Sequence, residues 1–286
     1  MNHPETPLDA GLYLVATPIG NARDITLRAL DVLASAGLIA AEDTRTARKL
    51  MDLHGLETGG RAMLAYHDHS GPGVRDRIIA AIAAGQAVAY VAEAGTPLLA
   101  DPGFQLARAV RAAGHPVVAV PGASALLAAL AVSGLPTDRF HFAGFLPNAQ
   151  AARRAALSGL RDQNGTVVLY ESPRRLAALV ADIAATLGAE REVVVCRELT
   201  KRFEERLSGT AEDLARRLAD HPVKGECVVL IAPGPEDVAG DEAVRAALVN
   251  AMETMRVKDA ATAVAGAMGR PRREVYQIAL ALKDTT

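Results

Sequence analysis

Residues 12–45 read LYLVATPIGNARDITLRALDVLASAGLIAAEDTR, and this stretch decides the fold class. A short apolar run, Leu12–Ala16, stops at Thr17-Pro18-Ile19-Gly20-Asn21, where Pro and Gly punctuate the chain. An amphipathic segment over Ile25–Ala36 follows, with Asp24 as the expected N-cap. A second apolar run, Leu38–Ala41, then ends in Glu42-Asp43. Runs that are apolar throughout, rather than at alternate positions, are those of strands buried on both faces.

The same phrase repeats outward from there. A helix runs to about His54 and closes at Gly55, and a strand over Ala62–Tyr66 ends in His67-Asp68-His69. Pro72 opens the next helix and Gly85 closes it. The strand Ala87–Ala92 leads into Glu93-Ala94-Gly95-Thr96-Pro97, a helix follows over Phe104–Ala113, and the strand Pro116–Val120 ends in Pro121-Gly122-Ala123-Ser124-Ala125. Five such units predict a parallel sheet with helices on both faces, spanning residues 11–121 after a ten-residue N-terminus. Ligands of such sheets bind at the carboxyl ends of the strands, which here are the loops just quoted.

A second α/β domain is expected over residues 122–233, with Leu135-Pro136-Thr137 as the crossing to its sheet. Its strands read as Phe140–Phe145, Thr166–Tyr170, Glu192–Leu199, Phe203–Ser208 and Glu226–Ile231. Only Thr200-Lys201-Arg202 separates two of them, so they form a hairpin and this sheet is mixed. Pro233-Gly234-Pro235 opens a linker to a helical extension over residues 234–286, with helices near Glu242–Met255, Lys258–Met268 and Pro271–Leu282.

The 286 residues suit two domains of ordinary size, and 50% hydrophobic with 22% charged residues is globular composition. Two cysteines, both in apolar runs, exclude a disulfide scaffold and a Cys-based zinc module. No run approaches the ~18 apolar residues of a membrane span, and the N-terminus lacks the pattern of a signal peptide. A cytoplasmic protein with no membrane partner is expected. A net charge of −2 and 3% aromatics exclude a basic coat for nucleic acid and a broad base-stacking platform. There is no G-x-G-x-x-G after the first strand, no Walker A sequence and no Gly-x-Ser-x-Gly elbow.

Several loops remain as candidates. The eleven residues Glu93–Gly103 are long for a strand-to-helix connection, carry two carboxylates, and suit an amino-acid-like ligand. Pro121–Ala125 places small residues and a hydroxyl at a helix start. His67-Asp68-His69 has the residue types of a metal site, but nothing elsewhere completes a ligand set, so no metal is expected. Glu42-Asp43 reads equally as a cap or a functional pair. Arg174 and Arg175 read as phosphate contacts or solvated charges, and Lys201, Arg202 and Arg206, interleaved with Glu204 and Glu205, as a salt-bridged face. The tail from Asn250 carries six Lys/Arg against four Asp/Glu; with Arg272 and Arg273 opening its last helix it fits an RNA contact or a helical cap.

Eight motifs in order, Ala16-Thr-Pro-Ile-Gly-Asn21, Ala41-Glu-Asp-Thr-Arg45, Gly95-Thr-Pro97 with Asp101-Pro-Gly103, Pro121-Gly-Ala-Ser-Ala125, Gly144-Phe-Leu-Pro147, Tyr170-Glu-Ser-Pro173, Arg197-Glu-Leu-Thr-Lys201 and Lys224-Gly-Glu226, resemble the ribosomal RNA small subunit methyltransferase I family. The resemblance covers nearly the whole chain. It implies a two-domain tetrapyrrole-methylase-like fold with S-adenosylmethionine (SAM) in the cleft between the domains. It also implies methyl transfer to the ribose 2′-oxygen of a decoding-centre cytidine in 16S rRNA, a homodimer, and the small ribosomal subunit as partner. By the same resemblance Pro18, Glu93, Ala94, Gly95, Thr96, Asp101, Ser124 and Ala125 face the cofactor. Leu146 and the Gly225-Glu226 region then form its second-domain wall, and Arg174, Arg175, Lys201, Arg272 and Arg273 are candidates for rRNA phosphates. A 2′-hydroxyl is a poor nucleophile and benefits from a base, for which Asp43, His67, Asp68, Glu93 and Glu171 are the candidates.

The chain departs from the family pattern in three places. Ala92-Glu93 stands where Ser-Asp is usual, His67-Asp-His-Ser70 where His-Glu-His-Asn is usual, and Pro173-Arg-Arg175 where Pro-His-Arg is usual. Two other readings stay open: a methylase of the same fold acting on a porphyrin-like acceptor, and a non-catalytic SAM-binding module of the ribosome.

Overall fold

A computed structural model describes residues 7–67, 70–234 and 241–283. Its first sheet holds β1 (Gly11–Val15), β2 (Leu38–Ala41), β3 (Ala62–Ala65), β4 (Ala87–Val91) and β5 (Val117–Val120) in the order β3-β2-β4-β1-β5. Every neighbouring pair is parallel. The three inner strands, β1, β2 and β4, bury both faces, while the edge strands β3 and β5 stay partly exposed. Tyr13, Val15 and Ile39 pack with Ala29 and Leu33 of α1 (Leu27–Ser35) and Met51 of α2 (Thr44–Leu53). On the other face Leu12, Leu38 and Tyr90 meet Ile78 and Ile82 of α3 (Pro72–Ala83) and Leu106 and Val110 of α4 (Phe104–Ala112).

One expected cap is corrected. Asp24 lies in a short 3-10 turn, and α1 is capped by Thr26, whose hydroxyl accepts from Ala29 N at 3.1 Å. The threonine sits directly before the first helical residue, which is where an oxygen can reach the orphan N–H groups.

The second sheet orders β6 (Phe140–Phe145), β7 (Thr166–Glu171), β8 (Glu192–Arg197), β9 (Glu205–Thr210) and β10 (Cys227–Ile231) as β6-β7-β10-β8-β9. Only β6 and β7 pair in parallel, so the sheet is mixed. The carboxyl ends of β6, β7 and β8 and the amino ends of β9 and β10 therefore share one end. One face packs on Leu126, Ala129 and Leu130 of α5 (Ala125–Ser133), the other on α6 (Gln150–Ser158), α7 (Pro173–Leu187) and α8 (Ala211–Asp220). The expected three-residue hairpin is a longer loop over residues 198–204. Two of its residues, Glu198 and Thr200, adopt left-handed conformations at φ 52° and 64°. Those backbone turns end the ladder early and re-aim the loop.

The tail forms three helices, α9 (Asp241–Met252), α10 (Val257–Met268) and α11 (Arg272–Lys283), around their own core of Val244, Leu248, Ala261, Val264, Val275 and Ala279. Among the described residues no helix is long and apolar enough to cross a membrane.

Candidate active site

The exit loops of β1 and β4 are stitched together. Thr17 and Gly95 exchange backbone hydrogen bonds at 2.9 and 3.0 Å, and Thr96 Oγ1 donates to the Ala123 carbonyl at 3.0 Å. Gly95 needs its φ of +83° to make this bridge, a conformation that costs an L side chain energy but not glycine. One rigid rim thus carries Pro18, Gly95, Thr96 and the 121–125 loop.

Three carboxylates converge beside it. The Glu93 backbone N–H donates to Glu42 Oε2 at 3.2 Å, which ties the exits of β2 and β4 together. Asp101 is pushed up to about 6, first by burial and then by the charges of Glu42 and Glu93. No cation forms an ion pair with any of the three among the described residues. The Glu93–Gly103 loop holds Leu98 and Ala100 at φ 73° and 61°, and Tyr90 Oη donates to the Pro102 carbonyl at 2.9 Å beneath it.

The second domain closes the opposite side. Leu126 N, in the first turn of α5, donates to Tyr170 Oη at 3.2 Å. Phe142 and Phe145 pack edge-on against the Tyr170 ring at 4.9 and 5.7 Å. Burial raises Tyr170, and the Asp101 charge raises it further. Nearby, Asn21 N donates to Thr200 Oγ1 at 3.0 Å. A Cβ on Gly20 would lie 2.4 Å from Lys201 Cγ and 3.0 Å from the Leu199 carbonyl, so the β1 exit loop meets the 198–204 loop in direct backbone contact.

Other candidates fall elsewhere. Asp43 caps α2, accepting from Arg45 N at 2.7 Å and pairing with the Arg45 guanidinium at 2.9 Å. The Arg45 hydrogen bonds hold it at about 2, which leaves it a weak base. Glu171 points away from the groups around Tyr170. Side chains alternate along β7, so Val168 and Tyr170 face α5 while Val167, Leu169 and Glu171 face away. There Glu171 accepts from Ser172 N at 2.7 Å and pairs with Arg175 at 3.1 Å.

Arg175 in turn donates to the Leu146 carbonyl at 2.8 Å and to Asn148 Oδ1, so it braces the Leu146 loop and is not available to grip phosphate. Lys201 is held between Glu198 and Glu226, both at 3.0 Å, and Glu226 N donates to Glu198 Oε1. Arg174, Arg272 and Arg273 are exposed. His67 N donates to Ser70 Oγ at 2.9 Å, while Asp68 and His69 lie outside the described residues. Among the described residues no group of three or more His, Cys, Asp or Glu side chains is arranged so as to hold a metal ion. Tyr170 escaped sequence reading, although the period of two along a buried strand places it on the α5 face.

Comparison with known proteins fits this geometry. A family profile described as Tetrapyrrole (Corrin/Porphyrin) Methylases matches residues 11–215, and one described as RsmI C-terminal HTH domain matches residues 238–283. A protein of Mesorhizobium japonicum named Ribosomal RNA small subunit methyltransferase I is 44% identical over 99% of this chain and 96% of its own length. The protein of that name from Pseudomonas aeruginosa is 42% identical over 94% of this chain and 96% of its own length. The chain belongs to the ribosomal RNA small subunit methyltransferase I family.

Among solved structures, a cobalt precorrin-4 methyltransferase shares the fold at a TM-score of 0.58, with 18% identity over 77% of this chain and 94% of its own. Uroporphyrin-III C-methyltransferase from Thermus thermophilus in complex with S-adenosyl homocysteine shares it at 0.50, with 18% identity over 78% of this chain and 97% of its own. The family is one of methyltransferases, and the fold is that of the tetrapyrrole methylases.

Proposed function

We propose that this protein transfers methyl from SAM to the ribose 2′-oxygen of a cytidine in the decoding centre of 16S rRNA. The observation that carries the reading is the carboxylate cluster Glu42, Glu93 and Asp101 at the mouth of a parallel sheet, where no cation of the described residues pairs with it. A site of that charge favours a cationic ligand, and SAM carries both a sulfonium and an ammonium group. Ser124 supports the fit, because its hydroxyl is buried at the start of α5 with no hydrogen-bond partner. The residues we assign to the donor are Pro18, Glu93, Ala94, Gly95, Thr96, Asp101, Ser124 and Ala125, with Leu146 on the second-domain side.

When bound, SAM supplies a methyl on an activated sulfur that departs as a neutral thioether. The chain's part is then alignment and proton removal. Rigid positioning by the Thr17–Gly95 bridge is the kind of contribution worth ~7–11 kcal/mol in oriented reactions. As the ribose oxygen bonds to the methyl carbon, its proton must leave, and we assign its acceptance to Asp101, with Glu93 beside it. A carboxylate titrating near 6 is ionised at neutral pH yet more basic than an ordinary aspartate. Arg174 and the tail's Arg272 and Arg273 are assigned to rRNA phosphates, which position a substrate without reading its sequence. We further take the working form to be a homodimer in the cytoplasm. Phe104, 57% exposed beside the unpaired edge of β5, is an apolar group that a second copy would cover.

The test is methyl transfer from labelled SAM to small ribosomal subunits that lack this modification, with naked 16S rRNA and a porphyrin-like acceptor alongside. A single 2′-O-methyl cytidine mapped by mass spectrometry is the expected result. Label in the tetrapyrrole alone would replace the acceptor, and SAM binding without transfer to any acceptor would reduce the protein to a binding module.

A further inference from the structure

A cavity of about 480 Å³ opens where β8 ends and β9 and β10 begin, on the sheet face that α8 covers. Its floor is Leu207 and Leu218, both part of the core under α8. Its rim carries Phe203, Arg217, His221 and Lys224. Phe203 is 64% exposed, a large apolar ring left in solvent at the tip of the 198–204 loop, and the Arg202 guanidinium lies 5.6 Å from its centroid. The acidic residues of the wall are already engaged. Glu205 pairs with Arg197 at 2.6 Å and lies 4.0 Å from Arg217, and Glu198 pairs with Lys201 at 3.0 Å. The same pairs engage Arg197 and Arg217, which leaves Lys224 as the lining lysine or arginine in no ion pair among the described residues.

We propose that this cavity is a nucleotide-docking subsite for single-stranded RNA flanking the methylated residue; the proposal rests on the reading of the protein as an rRNA methyltransferase. An exposed aromatic ring offers a stacking face to any base, the leucine floor accepts the apolar body of that base, and Lys224 at the rim suits an adjoining phosphate. The position supports the assignment. The loop that carries Phe203 also carries Thr200, whose hydroxyl accepts from Asn21 N in the β1 exit loop. A strand of RNA with one nucleotide in the methyl-transfer cleft can thus lay a neighbour in the cavity across a single loop. A sequence-tolerant contact of this kind would hold the substrate's register and leave base identity to be read elsewhere.

The test compares wild type with Phe203→Ala, Phe203→Tyr and Lys224→Glu. Binding of a fluorescent single-stranded decamer of decoding-centre sequence is measured by anisotropy, alongside SAM affinity, kcat and KM for unmodified small subunits. Phe203→Ala is expected to weaken decamer binding and raise KM about tenfold, with Tyr restoring both and SAM affinity unchanged. Lys224→Glu is expected to weaken binding and to flatten its dependence on log salt by roughly 0.7 or more. Decamer affinity and KM both within twofold of wild type in Phe203→Ala would overturn the subsite. So would a shift from dimer to monomer in the ultracentrifuge with RNA binding intact, since the face would then join two copies. If wild type methylates no subunit, the functional reading fails, and the decamer measurement still decides whether the cavity binds RNA.

Discussion

Acidic residues are treated in opposite ways in the two domains. In the second, Asp182, Glu171, Glu198 and Glu226 each sit against an arginine or lysine at 2.6–3.1 Å. In the first, Glu42, Glu93 and Asp101 gather at the strand exits with no cation of the described residues to offset them, and Asp101 is held above the ordinary carboxylate range by its burial first and by the charges of Glu42 and Glu93 next. Like charges brought together and partly buried cost stability. Paired carboxylates serve the scaffold, whereas a cluster left uncompensated marks where a ligand must supply the missing charge. The comparison predicts that removing a paired acid harms the fold, and that removing an uncompensated one harms the reaction while helping the fold.

The largest effect should come from the most buried pair. Asp182 is fully buried and accepts from Arg153 Nε at 2.8 Å, Arg154 Nε at 2.6 Å and Gln150 Nε2 at 3.1 Å, which fastens α6 to α7. Asp182→Ala strands the Arg153 guanidinium, itself buried, and should destabilise the protein by about 3–5 kcal/mol in urea titration. Methyl transfer per folded molecule should stay near wild type under conditions where the variant is folded. A loss below about 1 kcal/mol would remove the scaffold half of the comparison.

Next comes the rate. Asp101→Asn keeps the shape of the side chain and deletes its charge and basicity. Loss of a positioned base typically costs 10²–10⁴-fold, so kcat on small subunits should fall at least ~100-fold. If kcat holds and SAM affinity alone drops, Asp101 orients the donor and Glu93 becomes the base. If neither changes, the cluster is not the reaction centre.

Much of this was legible in the residues, and the reason differs by region. The inner strands of the first sheet are apolar throughout because helices cover both their faces, and Pro and Gly at the exits of β1, β4 and β5 marked the mouth of the site. The 198–204 loop was not legible as such. Leu199 and Phe203 look like strand residues, and nothing in their types reveals that Glu198 and Thr200 turn left-handed and break the ladder. Glu171 and Tyr170 show the same limit at the site. They are neighbours in sequence, and the strand's period of two sends one into a scaffold ion pair and the other toward the cleft. Lys201 reads from its neighbours as part of a salt-bridged face, and it does pair with Glu198 and Glu226; Arg175 reads as a phosphate contact or a solvated charge, and the structure instead pairs it with Glu171 at the end of β7. Glu42 and Asp43 form a second such pair of neighbours, for Asp43 caps a helix while Glu42 accepts from the Glu93 backbone.

The smallest expected effect is also the most specific to the comparison. Asp101 titrates at about 6 in the folded protein and near 3.9 when unfolded. A carboxyl raised in this way favours the folded state fully below its unfolded value and loses that contribution as pH climbs through 6. Two units would correspond to about 3 kcal/mol, but the side chain is partly exposed, and screening reduces this to roughly 1 kcal/mol. Asp101→Asn should therefore match wild type in stability near pH 4 and exceed it by about 1 kcal/mol at pH 7.5, a rise of a few degrees in Tm by thermal melting. A saturating cationic ligand should erase the gap, because it compensates the same charge in wild type. Should the variant melt lower than wild type at pH 7.5, Asp101 is held by a favourable partner in the folded protein, and the division between paired scaffold acids and uncompensated site acids fails at the residue on which it most depends.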